Sequence, residues 1–195
     1  MSGILCFDIE TLGTESNSVV LSAAIVYADL DSMHTWESLY TQSEFVKFSV
    51  EEQIKNYKRT VDRNTVEWWN KQCDMVKRKS FIPSKDDLSA KEGISKLRAY
   101  IKDKCDPEIT TIWTRGNLDQ VAFDSLSKDC DEEVIMSYYN YRDVRTFVDI
   151  TANTSKRGYC KISKDKYPEF DNNIVMKHNP IDDIVYDVLM MLYYD

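Results

Sequence analysis

Asp8 and Glu10 lie two residues apart at the end of a short apolar run, Gly3 to Ile9, that reads as a β-strand. Alternate strand residues share a face, so both carboxylates point to one side of a sheet while Phe7 and Ile9 point to the other. Like charges held together beside Ile4, Leu5, Cys6 and Phe7 cost free energy unless protons or cations neutralise them. A hard cation such as Mg²⁺, bound through oxygen ligands, is the natural solution. Taken alone, an Asp-x-Glu at a strand end is as compatible with chance as with function.

Two further clusters carry chemistry. From Trp113 to Asp119 a β-branched strand ends, Gly116 permits a tight turn, and a carboxylate enters the first turn of a helix. By itself that Asp119 also suits the positive end of a helix macrodipole. His178, one of two histidines, precedes Asp183 by five residues at the head of the last helix, whereas His34 falls in an expected hairpin and is read as incidental. With Ile181, Val185, Val188 and Leu192 marking the apolar face of that helix, periodicity turns Asp183 away from it, toward solvent.

The elements that must position these groups begin with strands. Gly3–Ile9 and Val19–Tyr27 are apolar runs, and Thr35–Tyr40 and Glu44–Phe48 alternate roughly, giving three or four early strands. Helices follow. Ser49-x-x-Glu52 and Asn64-x-x-Glu67 read as capping boxes, the second opening a helix that carries Trp68 and Trp69. Another helix is expected from about Asp86 to Lys104, with Gly93 inside it as a weak point. Ile109–Trp113 reads as a buried strand feeding a helix near Asn117. A short strand near Tyr138–Tyr141, a helix from about Asp143, a polar loop, and a final helix with Asn179 as cap and Pro180 in its first turn complete the chain. Strands first, then alternating strand and helix, predict helices packed on a mixed sheet.

The 195 residues fit one domain, 1–195. The longest nearly apolar stretch, Val19 to Leu30, falls far short of the ~18 residues a membrane span needs, so no membrane partner is expected. The leading segment has no basic residue before its apolar run, which predicts no export signal. Five cysteines without any CxxC pair suggest neither a disulfide framework nor a cysteine zinc site, and a cytoplasmic location follows. With 25 Lys+Arg against 33 Asp+Glu the net charge is −8, but it is unevenly spread. Residues 54–79 hold eight bases and three acids, and Ser155–His178 six bases and three acids. Such stretches are either solvated helix faces or tracks for a phosphate chain.

Together these pieces resemble the DEDDh group of 3′-to-5′ exonucleases, through FDIET at 7–11, Asp119 on the middle helix and His-x-x-x-x-Asp at 178–183. The likeness extends to the exonuclease A (DexA-like) group of tailed phages and related bacterial exoribonuclease-like proteins. TVEWWNKQ at 65–72, WTRG at 113–116, YRDVRT at 141–146 and DVLMMLYY at 187–194 carry it. One motif departs from the family: Leu118 stands where Phe is usual and the interval from Gly116 to Asp119 is one residue short. Asp124, after Phe123, is the rival to Asp119, which is preferred.

The resemblance implies an α/β, ribonuclease H-like fold with a mixed central β-sheet flanked by helices, forming a single DEDDh exonuclease domain. It implies two divalent cations, Mg²⁺ or Mn²⁺, held by Asp8, Glu10, Asp119 and Asp183, with His178 as general base. Thr11 and Leu12 match positions that grip and wedge the terminal nucleotide. Arg115, Arg142 and Arg145 are candidate phosphate contacts, with pairing of Arg142 or Arg145 to Asp143 or Asp149 as the alternative. Of Trp68 and Trp69, about 100° apart on a helix, at most one can stack on a base, and Trp69 is the candidate taken. The expected substrate is the 3′ end of single-stranded DNA, cut to mononucleotides in the cytoplasm, that of the host if the chain is phage-encoded. An exoribonuclease of the same fold is the alternative, and a non-catalytic nucleic-acid or host-protein binding module the alternative of another class. Oligomeric state stays open, a homodimer included.

Overall fold

The computed structural model describes residues 3–155 and 157–195. Met1 and Ser2 of the leading segment, and Lys156 of the later basic stretch, lie outside the described residues. Strand β1 (Gly3–Thr11) pairs antiparallel with β2 (Val20–Asp29) and parallel with β4 (Thr111–Thr114). With β3 (Glu44–Lys47) and β5 (Tyr141–Asp143) at the edges, the order is β3-β2-β1-β4-β5. This is a mixed central sheet flanked by helices, the ribonuclease H-like arrangement.

Alternation along β1 builds a core on each side of the sheet. Leu5, Phe7 and Ile9 pack with α5 (Ala90–Lys104) and α6 (Leu118–Asp129) on one face. Ile4 and Cys6 pack with α7 (Val144–Thr151) and α8 (Pro180–Tyr193) on the other. A third cluster, holding Leu12, Val19, Leu21 and Trp69, seals the end of β1. Gly93 has a physical reason to sit inside α5: a Cβ there would lie 2.2 Å from the Phe48 ring.

Several elements differ from their sequence expectations. Thr35–Tyr40 is no strand, because Thr35 caps helix α1 (Trp36–Gln42) by accepting from the Ser38 N–H while the Ser38 hydroxyl accepts from the Thr35 N–H. Ser49 caps α2 (Val50–Tyr57), but the expected box stays open because the Glu52 carboxylate accepts from the Ala90 N–H at 2.8 Å instead. The next helix, α3 (Arg63–Asn70), is capped by Asp62 rather than Asn64, with Asp62 Oδ1 accepting from Thr65 N–H at 2.8 Å. A short α4 (Asp74–Val76) runs into a π-turn at Lys77–Phe81. Helix α5 starts at Ala90, not Asp86, since Ser89 and Glu92 form the closed capping box. Residues 138–140 form a 3₁₀ turn ahead of β5.

Candidate active site

The carboxyl ends of β1 and β4 and the amino ends of α6 and α8 meet at one cleft of about 430 Å³. Asp8 and Glu10 reach it from β1, where their backbone is fixed by pairing to Ala24 and Ser22. After β4 the chain reverses at Gly116, whose φ of +89° is strained for any residue with a Cβ. The Gly116 N–H donates to Asp143 Oδ1 at 3.1 Å. That turn places Asp119 as the second residue of α6, buried, with Oδ1 accepting from the Ile9 N–H at 3.4 Å. The bond draws a third carboxylate to the strand between Asp8 and Glu10.

The amino end of α8 supplies the rest. Asp182 folds back to accept from Met176 N–H at 2.7 Å and from Asn179 Nδ2, while Asp183 Oδ2 accepts from the His178 N–H at 2.9 Å. Asn179 takes the cap position without a side-chain cap bond, and Pro180 occupies the first turn. His178 sits in the left-handed region at φ +66°. One ligand atom each from Glu10, His178 and Asp183 lie within 4.8 Å of one another, a cluster able to chelate a metal ion.

Burial, then the charges of Asp119, Glu10, Asp183 and Asp187, push the Asp8 carboxyl well above the usual carboxylate range. Glu10 is raised by burial, then by Asp183 and Asp119. Asp119 is pushed up to about 7, chiefly by burial, against the opposing Ile9 hydrogen bond. Asp183 also reaches about 7, through burial and then Asp187. His178 moves the other way, lowered by burial and then by Lys177. Near neutral pH the cleft therefore holds carboxylates under pressure to take up protons or cations, beside an imidazole that favours its neutral form.

Asp187 was missed in the sequence. It lies one helical turn beyond Asp183 on α8, on the same side, and that i, i+4 spacing was the available signal. Arg115 Nε donates to both Asp187 oxygens, at 2.7 and 3.0 Å, and its Nη2 donates to Gly158 O at 3.0 Å. The guanidinium lies 4.1 Å over the Tyr159 ring. Burial raises Asp187 to about 6 even though Arg115 opposes the shift. Arg145 and Lys177 also line the cleft.

Other expected positions fall elsewhere. Leu12 is a core residue, its side chain packed with Val19 and Trp69, so no wedge projects from it. Thr11 Oγ1 donates to Gly13 O at 2.6 Å and holds the turn after β1. Trp69 is fully buried, its Nε1–H donating to Thr11 O at 3.0 Å, so it offers no face to a base; Trp68, 38% exposed, does. Arg142 lies outside the cleft and donates to Tyr139 O and Tyr141 O, both at 2.7 Å. Asp124 also lies outside the cleft, raised by burial, with Oδ1 lacking a partner among the described residues. Between the rivals, Asp119 is the one the fold brings to the other carboxylates.

A mixed sheet with carboxylates gathered at the end of its central strand defines the class: the DEDDh, ribonuclease H-like superfamily of 3′-to-5′ exonucleases. Within it, residues 4–194 match the Rv2179c-like family, described as the 3′-5′ exoribonuclease Rv2179c-like domain, and the chain belongs to that family. It is 27% identical over 203 residues to the exodeoxyribonuclease of Enterobacteria phage T4, covering 95% of this chain and 86% of that protein. Cell-death related nuclease 4 (CRN-4) has a similar fold, with TM-score 0.59 and 15% identity over 98% of this chain and 62% of its own. So has E. coli exonuclease I in complex with a dT13 oligonucleotide, with TM-score 0.57 and 10% identity over 98% of this chain. The chain spans 40% of that exonuclease I chain.

Proposed function

We propose that this chain is a 3′-to-5′ exonuclease that hydrolyses single-stranded DNA from its 3′ end and releases mononucleotides. The observation that carries the proposal is the convergence of Asp8, Glu10, Asp119, Asp183 and His178 on one cleft. A binding module has no physical need for so many buried like charges, whose cost is recovered only when cations occupy the site. The oxygen-rich donor set fits hard divalent ions. Asp8, Glu10, Asp119 and Asp183 would hold two such cations, Mg²⁺ or Mn²⁺, which when bound neutralise the phosphate and acidify an attacking water.

The remaining work falls to the chain's own groups. Neutral His178 accepts the proton of the attacking water, the role its lowered proton affinity and its place beside Glu10 and Asp183 support. Arg145 and Lys177, at the wall of the cleft, attract the phosphodiester. Arg115 neutralises Asp187 and ties α8 to the end of β4. The exposed indole of Trp68 offers a stacking face for an unpaired base.

The phage relative's name, exodeoxyribonuclease, favours DNA, whereas the family's description as an exoribonuclease domain favours RNA as the second reading. A gel time course of 5′-labelled single-stranded DNA and matched RNA, with Mg²⁺, Mn²⁺ or EDTA and with Asp8→Ala alongside, decides both questions. The expected result is a metal-dependent ladder on DNA that is absent with EDTA and with Asp8→Ala. A ladder on RNA alone moves the substrate to RNA, and no shortening of either strand by folded protein removes the catalytic reading.

A further inference from the structure

Among the described residues, neither ring nitrogen of His178 has a hydrogen-bond partner. A general base ordinarily has its imidazole oriented by a group on the far ring nitrogen. Here the backbone offers little help, since His178 stands at φ +66° in a turn and only its main-chain N–H is fixed, to Asp183. The contact the ring does make is with Trp68, at 4.7 Å between centroids and an interplanar angle of 89°. Edge-to-face packing of this kind is directional.

Trp68 is itself anchored. It packs edge-to-face on Trp69 at 5.2 Å, and Trp69 lies parallel to Phe81 at 5.6 Å in the core. Trp69 Nε1–H holds the carbonyl of Thr11, the residue after Glu10. Helix α3 therefore grips the end of β1 with one indole and meets His178 with the next. We infer that Trp68 is the positioning residue of His178, orienting the imidazole toward the carboxylates by ring packing in place of a hydrogen bond. The inference rests on the hydrolytic role proposed above for His178.

Trp68→Phe, Trp68→Leu and the wild type are compared by steady-state turnover of a single-stranded substrate, by calorimetric Mn²⁺ binding, and by the ring-proton NMR signals of His178. His34, whose Nε2 bonds Asp29 O at 2.8 Å, is the internal NMR reference. Expected for Trp68→Leu is a fall in kcat of about 10- to 100-fold, the scale on which misplaced catalytic groups are felt. Mn²⁺ affinity should stay within about threefold, because the carboxylates do not depend on the indole. Trp68→Phe should recover most of kcat, and in Trp68→Leu the His178 signals should lose their ring-current shift while those of His34 stay put. A Trp68→Leu protein with raised KM and unchanged kcat would make Trp68 a stacking platform only and overturn the inference. If the wild type cuts nothing, the hydrolytic reading fails, while the χ1 couplings of His178, averaged in Trp68→Leu if the indole orients the ring and unchanged if it does not, still decide whether Trp68 positions it.

Discussion

Arg59 and Arg115 are both largely buried and both paired with an aspartate, yet their surroundings differ in what is left unmet. Arg59, just beyond α2, donates through Nε and Nη2 to Ser18 O, through Nη2 also to Ser16 O and Ala122 O, and through Nη1 to Ser125 Oγ and Asp129. Every nitrogen is satisfied, and the network ties the β1–β2 connection to α6. Arg115 fills two of its nitrogens with Asp187 and Gly158, but Nη1 is buried without a partner among the described residues. Around it stand carboxylates whose proton affinities have been driven upward. A polar network that serves structure closes on itself, whereas one that serves chemistry keeps unmet valences for a visitor.

The sharpest way to test that contrast is to relieve the cleft. Asp8→Asn should lower turnover by roughly a thousandfold or more, because a cation ligand is lost. Its thermal midpoint in EDTA at pH 7.5 should be unchanged or higher, because a like charge has gone. His178→Ala should cost about 10²- to 10⁴-fold in kcat with Mn²⁺ binding largely kept, as read by calorimetry. A midpoint that drops sharply in Asp8→Asn would erase the distinction between the two regions.

Breaking the closed network has the opposite profile. Arg59→Met strands several carbonyls and should destabilise by about 2–4 kcal/mol in urea titration, with turnover per folded molecule unchanged. Asp129 is one-third exposed, which keeps the loss below that of a fully buried pair. The smallest expected effect is on pH. Asp119 and Asp183 near 7 and Asp187 near 6 bind more protons folded than unfolded, so their contribution to metal-free stability is greatest at low pH and is lost as pH rises through 6 to 7. Thermal scans in EDTA should show a midpoint at pH 7.5 below that at pH 5. Saturating Mn²⁺ at pH 7.5 should raise it by about 5–10 °C. A midpoint that climbs with pH in EDTA would break the comparison from the other side.

The strand end with Asp8 and Glu10 was legible because alternation in a strand is rigid, and the β4-to-α6 step was legible because Gly116 marks its turn. Helical periodicity alone turns Asp183 toward solvent, and the surroundings of α8 explain why that pattern fails. Periodicity assumes a helix with one wet side, but α8 is covered by β1, β2, α1 and α7, and the side opposite its apolar stripe faces the cleft. Asp187 is buried there, while Asp182 is buried against Met176 and Asn179. The division of labour between Trp68 and Trp69 depends on their contacts with His178 and with Thr11, in distant segments that local pattern does not record. Helix α1 escaped because its capping box is closed by Ser38 rather than by the usual Glu or Gln.

The sheet's two outermost strands are short, β3 with four residues and β5 with three. An open strand edge is a template on which a second chain can add itself, and length is what makes the template dangerous. At β5 the side chain of Arg142 turns back onto the carbonyls of Tyr139, in the 3₁₀ turn ahead of the strand, and of Tyr141 at its start. At β3 the charged Glu44 and Lys47 bracket the two apolar residues. A fold that gathers unsatisfied charge at the centre of its sheet thus keeps its margins short, and at one of them Arg142 is engaged with backbone carbonyls.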